Sequence, residues 1–161
     1  MGFAASWACF SFKCQTDRSD PIASPSIKNI NKIDGKVNCH QCTEKAIKLV
    51  CGGVAEAACD AKGVLLQDWE ERTGWILSNW MKPTQLSEAI AGLPNGSRGV
   101  VAAFRRHMKN GVNSHLFIYV KNSHGAVTYI DGQCGVATKN LPVESFEFFS
   151  FSQVTVVSHD N

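Results

Sequence analysis

The apolar pattern of this chain changes period between residues 93 and 99, and that switch limits the folds open to it. After it come short apolar runs with the length and bounds of strands. Gly99-Val100-Val101-Ala102-Ala103-Phe104 reads as a buried strand and His115-Leu116-Phe117-Ile118-Tyr119-Val120 as a second. Asn122-Ser123-His124-Gly125 supplies turn chemistry, so Ala126 to Asp131 returns antiparallel to the second strand. Phe146 to Phe151 and Val154 to Val157 bring the run to about five. Helical spacing precedes the switch and strands follow it. The expected class is therefore α+β, with N-terminal helices packed on a C-terminal antiparallel sheet.

The helical half opens at Val37-Asn38-Cys39-His40-Gln41-Cys42. Asn38 is expected as N-cap, its side chain accepting a backbone N–H one turn on, with Gln41 reaching back as in a capping box. Cys39, Cys42, Ala46 and Val50 then share one helical face, and Gly52-Gly53 stops the run. Val54 to Cys59 suggests a short second helix ended by Gly63. Leu65, Leu66, Trp69, Arg72, Trp75, Ile76, Asn79 and Trp80 recur at helical spacing, bent or weakened at Gly74. The tryptophans read as core or groove wall. Pro83-Thr84 opens a further helix that ends at Gly92-Leu93-Pro94. Residues 1–14 carry an apolar lead-in or short strand, and residues 15–36, rich in Ser, Asp, Asn, Lys and Pro, read as an exposed arm. The expected division is an arm or linker of unassigned role at 1–35 and one domain at 36–161.

At 161 residues the chain can build one core without crosslinks, and 44% hydrophobic with 19% charged residues describes an ordinary globular domain. A net charge of +2, with one short basic run at Arg105 to Lys109, gives no nucleic-acid platform. The run reads as a solvated loop between strands. The first twelve residues lack a basic n-region and are interrupted by Ser6, Cys9 and Ser11, so neither a signal peptide nor membrane insertion is expected. The seven cysteines, at 9, 14, 39, 42, 51, 59 and 134, are odd in number and do not have the spacing of a small disulfide scaffold. Function in a reducing compartment, or after delivery into one, accounts for them.

Chemistry concentrates where three elements meet. A cysteine in the first turn of a helix feels the positive end of the helix dipole, which favours the thiolate. His115 opens one strand and Asp131 closes the next, so the proposed hairpin brings both to one end of the sheet. A thiol at the head of a packed helix completes a Cys–His–Asp set, in which imidazole takes the thiol proton and carboxylate orients the ring. Backbone N–H groups at the helix head, helped by Asn38, would stabilise an oxyanion. With Asn38 as cap, Cys39 is the first helical residue and the expected nucleophile. A start at His40 or Gln41 would give that role to Cys42. His40, His107, His124 and His159 are expected at the surface or in loops.

Two rival classes use the same cysteines. A zinc-binding interaction module would take Cys39 and Cys42 with Cys51, Cys59 or His40, but no second C-x-x-C pair completes it. A thiol–disulfide oxidoreductase would use the pair after the first strand of a βαβ unit, a pattern absent here.

The segments Asn38-Cys39-x-x-Cys42-x-x-x-Ala46, Gly96-Ser97-Arg98-Gly99-Val100-Val101, Ser114-His115-Leu116-Phe117 and Tyr129-Ile130-Asp131-Gly132-Gln133-Cys134-Gly135 resemble the papain-like fold toxin domains of bacterial polymorphic toxins and secreted effectors. The resemblance covers roughly residues 36–140. It implies a papain-like cysteine hydrolase needing no metal or cofactor, with protein glutamine deamidation favoured over proteolysis or transglutamination. Carried across, the nucleophile falls in the Asn-Cys-x-x-Cys motif, the base on His115 and the orienting acid on Asp131. Gln133 matches a glutamine that often follows that acid and would position a loop or substrate. The implied partners are a target protein in a host or competitor cell and an immunity protein where bacteria are the target. Export by a route independent of a signal peptide, and action in the target-cell cytoplasm, complete the expectation.

Overall fold

The computed structural model describes residues 27, 29–32, 38–51, 56–59, 64–105 and 113–154. Among the described residues three helices, α1 (Cys39–Val50), α2 (Leu66–Thr73) and α3 (Pro83–Ala91), precede five strands. The strands are β1 (Arg98–Arg105), β2 (Asn113–Lys121), β3 (Val127–Asp131), β4 (Val136–Thr138) and β5 (Phe148–Gln153). They form one antiparallel sheet in the order β4-β3-β2-β1-β5. The fold is α+β as the change of period predicts. No helix of the described residues is long and apolar enough to cross a membrane.

Both faces of the sheet are covered, which explains why β1 and β2 read as continuous apolar runs instead of alternating ones. Val100, Ala102, Leu116, Ile118 and Ile130 pack beneath α1, against Cys39, Cys42, Ala46 and Ile47. Val101, Ala103, Phe117, Tyr119, Tyr129 and Phe149 form the other core with Leu86 and Ile90 of α3. Pro83 stands in the first turn of α3, and the Gln85 side chain accepts the Lys82 N–H at 2.8 Å. At the other end of α3 the buried Lys121 ammonium donates to the carbonyls of Ile90, Ala91 and Leu93, at 3.4, 2.7 and 2.7 Å. It supplies the cation that a helix C-terminus favours.

Several expectations are corrected. The helical spacing of residues 65–80 ends at Gly74, whose φ of 74° is the left-handed turn that caps α2. From there the chain runs along the outer edge of β5, with Ser78 donating to Phe151 O and Met81 exchanging both backbone bonds with Phe149. This blunts an edge that would otherwise be open. Trp69 is buried against α1's face, Trp75 packs edge-on to it, and Trp80 is exposed beside Phe104. Residues 56–59 are not helical; Glu56 instead pairs with Lys45 and Lys48 of α1. Val154 lies outside β5, and the fifth strand is the three-residue β4, which follows the Asp131 turn. Residues 1–14, the 106–109 part of the basic run and residues 155–157 lie outside the described residues.

The largest correction concerns the polar stretch 15–36. Ile27 and Ile30 are buried in the core beneath α1, and the Ile30 carbonyl accepts the Ala58 N–H at 2.7 Å. Ile27 and Ile30 are thus core residues, although the composition around them is that of an exposed arm. Ile30→Ala is expected to destabilise the domain by about 2–5 kcal/mol, the range for truncating a fully buried aliphatic side chain. Urea unfolding checks it, and a loss below about 0.5 kcal/mol would mark residue 30 as peripheral.

Candidate active site

β2 and β3 pair with Ile118 opposite Ile130, so the register carries His115 and Asp131 to the same end of the sheet. There His115 Nε2 and Asp131 Oδ2 are 2.5 Å apart, in a buried contact. The other carboxylate oxygen accepts the N–H groups of Gln133 and Cys134, at 2.9 and 3.2 Å, in an Asx-type turn. The imidazole stacks on Phe146, at 10° between planes and 6.1 Å between centroids, and leans on Phe117. Nε2 faces the carboxylate, so Nδ1 is the ring nitrogen on the side away from Asp131. Burial pushes the Asp131 carboxyl upward. The charge and hydrogen bond of His115, with the two backbone donors, outweigh burial and hold it below the ordinary carboxylate value.

The turn that follows Asp131 sits on the head of α1. A Cβ on Gly132 would lie 2.8 Å from the Cys42 carbonyl oxygen, so only glycine permits this approach. Gln133 Nε2 donates to Asn38 Oδ1 at 3.3 Å, and Asn38 directly precedes Cys39. Asn38, Gln133, Asp131 and His115 thus form one hydrogen-bonded series running from the helix head to the imidazole.

The helix starts at Cys39 as expected, but Asn38 does not cap it with its side chain. The amide turns sideways, and Nδ2 donates to Asn31 Oδ1 and to Cys59 O, both at 3.1 Å. Gln41 does not reach back either; its Oε1 accepts the Cys59 N–H at 3.0 Å. Partners distant in sequence won over the local capping box. The first intrahelical bond runs from the Cys42 N–H to Asn38 O at 3.0 Å. Cys39 and Cys42 are both fully buried, Cys51 and Cys134 half-buried, and Cys59 exposed.

His40 is buried and not at the surface, a second correction. Burial lowers its pKa most, Glu44 opposes that shift and Arg72 adds to it. Glu44 is itself fixed by Trp69 Nε1 at 3.0 Å and by the Arg72 guanidinium. His124 is exposed as expected, while His107 and His159 fall outside the described residues. Among the described residues no three His, Cys, Asp or Glu side chains are grouped to hold a metal ion. Asn31 was not singled out from the sequence. Its one signal is that it follows Ile30, an apolar anchor in a polar stretch.

A helix that begins with a cysteine, packed on an antiparallel sheet whose adjacent strands present a buried His–Asp pair, defines the papain-like class of enzyme. Within it, residues 11–136 match the family described as papain fold toxin 1, glutamine deamidase, and the chain belongs to that family. The protein is therefore an enzyme of papain-like fold, a toxin of the deamidase type, and a toxin of this kind has a target protein. No curated protein matches the chain.

The Asp131 carboxyl, held below its unfolded value, stabilises the fold fully above about pH 4, where the unfolded carboxylate is ionised. That contribution is lost as pH falls through the lower folded value. Stability measured from pH 5 downward should therefore fall more steeply in the wild type than in Asp131→Asn. Parallel acid profiles would mean that the carboxyl is not held by His115 and the turn.

Proposed function

We propose that the enzyme hydrolyses the side-chain carboxamide of a glutamine on its target protein through Cys39, His115 and Asp131. The reading is carried by the buried His115–Asp131 pair, whose turn is seated on the helix that begins at Cys39. His115 Nδ1 takes the thiol proton, and the thiolate attacks the carboxamide carbon. The oxyanion so formed faces backbone N–H groups of the first turn of α1, which have no carbonyl partner within the helix. The tetrahedral adduct collapses to a thioester. Ammonia leaves with the proton returned by the imidazolium, and water, deprotonated by the same imidazole, releases glutamate and restores the thiol. Asp131 orients the ring and stabilises its charged form.

Cys39 is preferred over Cys42 because it is the first helical residue. Cys42 is a turn deeper, its N–H spent on Asn38 O and its carbonyl covered by Gly132. Asn38 and Gln133 hold one another at the helix head, where the carboxamide would approach. The outcome for the target is small in mass and large in chemistry. A side chain with two N–H donors becomes an anion that only accepts, which breaks any contact needing the donors. In this reading the enzyme acts in the cytoplasm of a host or competitor cell. Where bacteria are the target, an immunity protein would accompany the enzyme.

The test is intact-mass and peptide-mass analysis of candidate target proteins incubated with wild type, Cys39→Ala and Cys42→Ala. The expected result is a gain of about one dalton on a glutamine, made by wild type and Cys42→Ala and absent with Cys39→Ala. The reverse pattern moves the nucleophile to Cys42. Backbone fragments would indicate proteolysis, and no cysteine-dependent change in any target overturns the hydrolase reading.

A further inference from the structure

We propose that Asn31 is a positioning residue, closing a hydrogen-bonded ring of three residues that holds the head of α1 against the turn bearing Asp131. The inference rests on the Cys39–His115–Asp131 reading and identifies what sets its geometry. Asn38 Nδ2 donates to Asn31 Oδ1 at 3.1 Å. Asn31 Nδ2 donates to the Gln133 carbonyl at 3.0 Å. Gln133 Nε2 donates to Asn38 Oδ1 at 3.3 Å, which closes the ring. Asn31 and Asn38 each donate and accept through the side-chain amide, while Gln133 donates from its side chain and accepts on its main-chain carbonyl. The remaining Nδ2 bond of Asn38 goes to Cys59 O at 3.1 Å.

The ring joins the two halves of the site through short covalent paths. Asn38 is bonded to Cys39, and the Gln133 N–H is on the Asp131 carboxylate at 2.9 Å. Asn31 belongs to neither half. It is fixed from behind by Ile30, fully buried and with its carbonyl on the Ala58 N–H. A third segment, packed by Ile30 in the core beneath α1 and close to Gly132, therefore bears on the separation of the other two. Cysteine catalysis is sensitive to that separation, since reacting groups must lie about 3–3.5 Å apart and an ångström of drift costs about 100-fold in rate. Asparagine suits the position because it presents one donor and one acceptor in a plane. Aspartate keeps the acceptor for Asn38 but sets an oxygen against the Gln133 carbonyl, and alanine removes both contacts.

The test compares wild type, Asn31→Ala and Asn31→Asp by three readouts: thermal unfolding, iodoacetamide alkylation of Cys39 against pH by peptide mapping, and ammonia release from benzyloxycarbonyl-glutaminylglycine. In Asn31→Ala, Cys39 alkylation at pH 6 is expected to slow about tenfold, its midpoint moving toward the free-thiol value near 8.5. The kcat should fall about 10- to 100-fold with KM within about twofold. Asn31→Asp should lie between, and it carries the test if Asn31→Ala does not fold. A folded variant with an unchanged alkylation profile overturns the proposal. So does a raised KM at unchanged kcat, which would make the ring a substrate contact. If wild type releases no ammonia from the peptide, the deamidase reading is what suffers, and the alkylation profile still decides the role of Asn31.

Discussion

Gly132 lies against the carbonyl of Cys42 with no room for a side chain, and the two halves of the fold meet there. One half contributes a helix whose first residues are Cys39, His40, Gln41 and Cys42. The other contributes a sheet whose β3 ends in Asp131. Both cores converge on this junction, the one beneath α1 through Cys39, Cys42 and Ile30, the other through Phe146 and Phe117 beside the imidazole. Polar groups at so dry a boundary cost roughly 1–3 kcal/mol each if left without partners. Here the backbone N–H groups of Gln133 and Cys134 go to the Asp131 carboxylate, and the amides of Asn31, Asn38 and Gln133 go to one another and to neighbouring carbonyls.

What could be read from the sequence divides along physical lines. Elements specified by their own residues were legible. α3 has proline in its first turn and glycine at its end, and β1 and β2 are buried on both faces and so apolar throughout. The β2–β3 hairpin carries its turn chemistry in Asn122 to Gly125, and Asn122 Oδ1 accepts two N–H groups of that turn. The His115–Asp131 pairing followed, because strand direction and one turn are enough to bring strand ends together.

Elements specified by distant partners were not legible. Residues 75–80 keep a helix-like apolar spacing, but the Trp75 N–H goes to Thr73 Oγ1, the Leu77 N–H to Glu70 and the Ser78 N–H to Phe151 O of β5. β4 has three residues and exists because the Asp131 turn delivers it to β3. Asn38 has the right identity for a cap, yet Asn31, Cys59 and Gln133 offer its amide better company than its own helix does. His40 is buried, and one of the charges that act on it comes from Arg72 of α2, distant in sequence. Composition was a poor guide to Ile27 and Ile30, since two anchored side chains weigh little in the average of a polar stretch.

Lys121 carries one more consequence. Its ammonium is buried, and its recorded hydrogen bonds in the described residues are to main-chain oxygens of Ile90, Ala91 and Leu93. A clasp built on peptide oxygens is indifferent to which side chains surround them. In the final turn of α3, Ile90 is held by the core, but the exposed positions, Glu88 and Ala91, are free to drift in sequence while the attachment to β2 persists, so surface novelty can accumulate on that flank without loosening the strand that begins near His115.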